Sequence, residues 1–108
     1  MVVIHSLAII KMKPESLDII CREFEVESIY HIGNFNSKSD IDLVIISQFF
    51  CGISIFKRKD LISRISSEID PICLTFNEFI KLKESNGSLW IEILNNGVLL
   101  YGCEKRYN

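Results

Sequence analysis

The apolar positions along this chain change period several times, and the changes divide it into alternating strands and helices. Residues 2–10 are apolar and β-branched and end at Lys11 to Lys13; an initial strand and a helix packed against a sheet both fit them. Pro14 and Glu15 then open a short amphipathic helix ending near Glu25, with Leu17, Ile20, Cys21 and Phe24 at helical spacing. Residues 27–32 read as a strand, 33–39 as a Gly/Asn/Ser turn and 40–47 as a second strand, which places the two strands side by side. An aromatic, glycine-containing loop spans Gln48 to Phe56, followed by a helix from about Lys57 to Glu68 with Leu61, Ile62 and Ile65 on one face. Residues 70–75 form a third strand, and Pro71 near its start marks a sheet edge or a strand's first residues. Asn77 is expected to cap a helix through Glu78, Phe79, Ile80 and Leu82. Ser88 is expected to cap another through Trp90, Ile91 and Leu94 that stops at Asn96-Gly97. Val98 to Tyr101 make a last short strand. The alternation predicts an α/β (α+β) fold, a small mixed β-sheet with helices packed against it. At 108 residues the chain is expected to form one domain, 1–108.

The second strand carries the candidate chemistry. Successive strand side chains alternate faces, so Asp40 and Asp42 project from the same side, roughly 7 Å apart, and can converge on one hard cation. Leu43 to Ile46 is apolar on both parities, as in a central strand covered on both faces, which leaves the carboxylates at its open N-terminal end. Thiol-free oxygen ligation favours Mg²⁺ or Mn²⁺ over zinc. The alternative is that Asp40 only caps or solvates the strand start and Asp42 pairs with a nearby lysine.

Composition narrows the function. A net charge of −2 and a pI near 5.6 give no bulk electrostatic reason for nucleic-acid binding. Lys57, Arg58 and Lys59 are the single basic run and read as a solvated helix start. No apolar stretch reaches the roughly 20 residues that cross a bilayer, and the N-terminus lacks signal-peptide features, so no membrane partner and a cytoplasmic location are expected. Cys21, Cys51, Cys73 and Cys103 are scattered without metal-ligand spacing, and three lie in or beside apolar runs, which fits a reduced core. His5 and His31 lie in apolar strands. A structural histidine is the simpler reading of His31, the alternative being that it faces a site two residues from Gly33. Trp90, Phe79 and Tyr101 read as core, while Phe49, Phe50 and Phe56 around Gly52 form either a cleft wall or a protein contact.

Several pieces in order carry a resemblance: the strand ending His31-Ile-Gly-Asn, Ser39-Asp-Ile-Asp-Leu-Val-Ile-Ile-Ser, Phe50-Cys-Gly-Ile-Ser-Ile-Phe-Lys-Arg, Asp70-Pro-Ile-Cys-Leu-Thr with Glu78-Phe79 behind it, and Glu92-Ile-Leu-Asn-Asn-Gly-Val-Leu-Leu-Tyr-Gly. Together they resemble the minimal nucleotidyltransferase (MNT) domains of the DNA polymerase β-like nucleotidyltransferase superfamily, in particular small archaeal and bacterial members, most strongly over residues 29–102. The resemblance implies transfer of a nucleoside monophosphate from an NTP, ATP foremost, to a hydroxyl of a protein or RNA acceptor by a two-metal mechanism with Mg²⁺ or Mn²⁺. Carried over residue by residue, Asp40 and Asp42 are the metal ligands and catalytic carboxylates, with Asp70 as the third. Asp at such a loop-to-strand junction also occurs for turn reasons alone. Gly33 lets the backbone approach the phosphates, Asn34 stands where the family has a phosphate-contacting serine, and Ser37, Lys38 and Ser39 add donors to the triphosphate.

The chain departs from the family in having Gly-Asn for Gly-Ser and a loop several residues shorter before the paired acids. Phosphoryl transfer depends on positioning and charge stabilisation around the phosphates, so this departure bears on turnover before binding. The resemblance also implies a second function class, a catalytically degenerate binding module such as the antitoxin partner of a HEPN-type toxin. A homodimer with a vestigial site is the third.

Overall fold

The computed structural model describes residues 13–33 and 41–102. The expected element at 2–10 lies outside the described residues. Helix α1 (Pro14–Glu23) has proline in its first turn, Glu15 near its positive end and Arg22 near its negative end, and it buries Leu17 and Ile20 completely. Strands β1 (Ser28–His31) and β2 (Ile41–Ile46) follow. A 3₁₀ turn, Gln48–Phe50, then occupies the first part of the expected aromatic loop. Ser47 fixes its entry: the hydroxyl donates to the carbonyl of Phe24 and accepts from the N–H of Phe49.

Helix α2 runs from Ile55 to Ser63, starting two residues before the expected Lys57 and stopping short of Glu68. The start is set by Ser54, whose hydroxyl accepts from the N–H of Lys57. The stop comes where the N–H groups of Ile65 and Ser66 both turn back onto the carbonyl of Ile62. Strand β3 (Ile69–Leu74), helix α3 (Phe76–Ser85), helix α4 (Ser88–Asn96) and strand β4 (Val98–Tyr101) complete the described chain. Two expected caps are corrected. Thr75, not Asn77, caps α3, because Thr75 and Glu78 satisfy each other's backbone N–H in a capping box. Ser88 is the first residue of α4 rather than its cap; Gly87 holds that position without a side-chain hydrogen bond.

The sheet is mixed, in the order β3-β2-β1-β4. β1 pairs antiparallel with β2 and with β4, while β2 pairs parallel with β3. Pro71 thus sits on an edge strand, where its missing N–H deprives no neighbour of a bond. One sheet face presents Ile29, Leu43, Ile45, Ile69 and Cys73 to Leu17, Ile20 and Ile62 of α1 and α2. The other presents Tyr30, Val44 and Ile46 to Phe79 and Ile93 of α3 and α4. β2 carries buried residues on both faces because helices cover both, which is why it lacks alternation from Leu43 onward.

The basic run is not a uniformly solvated helix start. Lys57 is exposed, but Arg58 is 5% exposed. Four positions before the buried Ile62, it shares that residue's inward helix face. Its guanidinium donates to the carbonyls of Ile53 and Cys73 and makes a two-pronged contact with the Glu78 carboxylate. This strap joins α2 to α3 past the exposed side of β3 and holds the Glu78 carboxyl below its ordinary range.

The aromatic residues divide. Phe50 is fully buried and stacks on Phe24, with centroids 6.0 Å apart. Phe49 meets Phe24 edge-on but remains half-exposed, and Phe56 is 88% exposed beside an exposed Ile55. Phe79 is core, as expected, while Trp90 and Tyr101 are partly buried against it and the opposite cluster respectively. Cys73 is buried and Cys21 half-buried; burial pushes both thiols up to about 12. Cys51, by contrast, is exposed. Cys103 and His5 lie outside the described residues.

Candidate active site

The parallel register of β2 and β3 sets Asp42 directly beside Asp70. Both residues share the parity of Val44, Ile46, Ile72 and Leu74, so both carboxylates belong to the sheet face that α3 and α4 cover further along. They stand at the N-terminal ends of their strands, where the core thins: both residues are partly exposed while Leu43 and Val44 are fully buried. Adjacent carboxylates repel unless a cation lies between or beside them. Here one does, since the Lys59 ammonium of α2 is 2.9 Å from an Asp70 carboxylate oxygen.

Gly33 closes the same corner from β1. Its φ of +90° lies in the left-handed region, and a Cβ at this position would stand 3.2 Å from a carboxylate oxygen of Asp42. The neighbouring Ile32 donates its N–H to the Asp42 carbonyl, which continues the β1–β2 ladder up to the glycine. Gly33, Asp42 and Asp70 therefore come from three chain segments to one end of the sheet. Asp40, Asn34, Ser37, Lys38 and Ser39 lie outside the described residues.

His31 does not join them. It is 3% exposed and lies opposite Leu43, hence on the other sheet face from Asp42 and Asp70. Burial lowers its pKa, which favours a neutral imidazole.

The donor chemistry fits a hard divalent ion, since two carboxylates lie side by side and the Lys59 ammonium already marks a cation position at one of them. Among the described residues, no three His, Cys, Asp or Glu side chains gather around one point. Lys59 is the site residue that sequence reading missed. Three consecutive cations carry no phase by themselves, and the contact arises only when α2 is laid back along β3.

No protein-family model matches the chain, and no curated protein is similar to it. Solved structures are. A protein of Sulfolobus solfataricus assigned provisionally as a nucleotidyltransferase superposes with a TM-score of 0.59 at 20% identity, over 92% of this chain and 85% of that one. The toxin–antitoxin MntA-HpeT, in a mutant with glutamate for aspartate at two positions separated by one residue, gives a TM-score of 0.55 at 12% identity, covering 89% of this chain and 78% of that one. A toxin–antitoxin solved with AMP-PNP gives 0.55 at 13% identity with the same coverage. With TM-scores of 0.55 to 0.59 over about nine-tenths of its length, the chain has a nucleotidyltransferase-like fold.

Proposed function

We propose that this protein is a nucleotidyltransferase that moves a nucleoside monophosphate from an NTP, ATP foremost, to a hydroxyl on a protein or RNA. The observation that carries the reading is the adjacency of Asp42 and Asp70 at one open sheet end, with Gly33 against the Asp42 carboxylate. Mg²⁺ or Mn²⁺, when bound, would neutralise the triphosphate and polarise the phosphorus under attack. Asp42 and Asp70 would hold the ion, with Asp40 as the remaining carboxylate of the motif. The absence of a side chain at Gly33 leaves room for phosphate oxygens next to the carboxylates. Asn34, Ser37, Lys38 and Ser39, which lie between Gly33 and β2 in the sequence, are proposed as the phosphate donors. The exposed thiol of Cys51 suits a reducing compartment, so the cytoplasm is the proposed setting.

A second reading is favoured by a separate observation. Ile55 and Phe56 are adjacent, large and 67% and 88% exposed, a surface suited to protein contact. Two of the structural neighbours are toxin–antitoxin assemblies. An antitoxin role with a protein toxin as partner is compatible with transfer, the toxin then being the acceptor, and also with contact alone.

Calorimetric titration with each of the four nucleoside triphosphates, with and without Mg²⁺, tests the first reading. Binding that requires the metal and disappears in an Asp42→Asn/Asp70→Asn variant is expected. Binding that ignores both metal and carboxylates would overturn it.

A further inference from the structure

We propose that Lys59 is a built-in counter-ion of the candidate site, seated on Asp70 and competing with a divalent cation for that carboxylate, so that metal uptake is coupled to arrival of the triphosphate. The inference rests on the functional reading above and deepens it. Arg58 and Lys59 are neighbours on α2 with opposite fates. Arg58 is buried and locked by carbonyls and Glu78. Lys59, about 100° further around the helix, is 56% exposed along its side chain and reaches a 44% exposed Asp70 at 2.9 Å.

An exposed ammonium on a flexible four-carbon stem is a point charge that leaves at little cost, unlike a planar guanidinium held bidentately. While it remains, it offsets the repulsion between Asp42 and Asp70 and weakens the field that would draw in a free divalent ion. A triphosphate changes the balance because its oxygens ligate the ion and also accept an ammonium. Lys59 thus acts as a positioning residue: it withholds the site from metal alone and gives the ion its seat when nucleotide brings a replacement partner.

Mn²⁺ titration of the whole protein, followed by the electron paramagnetic resonance of the free ion, tests this without any turnover. Lys59→Met is expected to bind Mn²⁺ about threefold tighter than wild type in the absence of nucleotide, the scale of one exposed ion pair. Lys59→Arg, which keeps the charge and can hold Asp70 bidentately, is expected to bind Mn²⁺ no tighter than wild type, and added ATP should raise the Mn²⁺ affinity of wild type by a larger factor than that of Lys59→Met. In an Asp70→Asn background the effect of Lys59→Met should vanish, as a double-mutant cycle requires for a direct pair. Melting curves verify that each variant is folded. If Lys59→Met binds Mn²⁺ no better than wild type while Asp70→Asn loses the ion, the counter-ion role is overturned and the metal site stands. If wild type and Asp70→Asn behave alike toward Mn²⁺, the metal site fails and the counter-ion role with it.

Discussion

At Gly33 a φ of +90° coincides with an Asp42 carboxylate oxygen 3.2 Å from where a Cβ would stand, so backbone conformation and site chemistry constrain the same atom. Gly33→Ala is therefore expected to cost about 1 kcal/mol or more in stability, and to weaken metal-dependent nucleotide binding by crowding Asp42. Urea unfolding and calorimetry measure the two effects separately. Two further residues set the acid side of the stability profile. Arg58 holds the folded pKa of Glu78 below 4.5, so its contribution is present above that value and fades as pH falls toward the folded pKa. Burial holds His31 below 6.5, so the unfolded chain takes up the proton first, and stability declines as pH drops from 6.5. Both act in the same direction. Denaturant midpoints measured from pH 7 to pH 4 should fall, and Glu78→Gln should flatten the decline below about pH 4.5. Asp42 was legible as a residue at the N-terminal end of β2, because the apolar run Leu43 to Ile46 behind it marks a central strand. The burial of Arg58 was not, although its spacing of four from Ile62 and the acid at Glu78 were the available signals.

Among the elements, capping explains where expectation and structure part. The pattern Thr75-Phe-Asn-Glu78 is a capping box written in the sequence, and it prevails over Asn77 because two backbone donors are satisfied at once. Thr75→Ala should cost about 1 kcal/mol, whereas Asn77→Ala, at an exposed position inside α3, should stay within about 0.5 kcal/mol. Thermal melts distinguish the two. The strands were easier to place. Their apolar runs are bounded by Gly, Asn and acids, whereas Pro71 fits a sheet edge and a strand's first residues equally, and the sheet order shows that β3 is an edge strand. The end of α2 was less legible, since Ile65 continues the apolar spacing although the helix has already ended at Ser63.

Across the whole molecule, the proposed function depends on a pairing that no local pattern encodes. Asp42 and Asp70 are 28 positions apart and meet only because β2 and β3 run parallel in that register. Local spacing assigned Asp70 to a turn as readily as to a site, and it was the resemblance to a family that implied the meeting. Surface chemistry at this scale also separates fold from partnership. Phe56→Ser, at an 88% exposed position, should leave stability within about 0.5 kcal/mol; loss of the proposed protein partner with an unchanged melt would identify the α2 start as its contact. No helix among the described residues is long and apolar enough to cross a membrane. The proposed function requires one end of this sheet to hold a divalent ion and a nucleoside triphosphate together. Its most direct test is the anomalous scattering of Mn²⁺ in crystals grown with a non-hydrolysable ATP analogue. A Mn²⁺ peak is expected within bonding distance of the Asp42 and Asp70 carboxylates, with phosphate oxygens beside Gly33. A nucleotide bound elsewhere, or no Mn²⁺ at these two carboxylates, would contradict it.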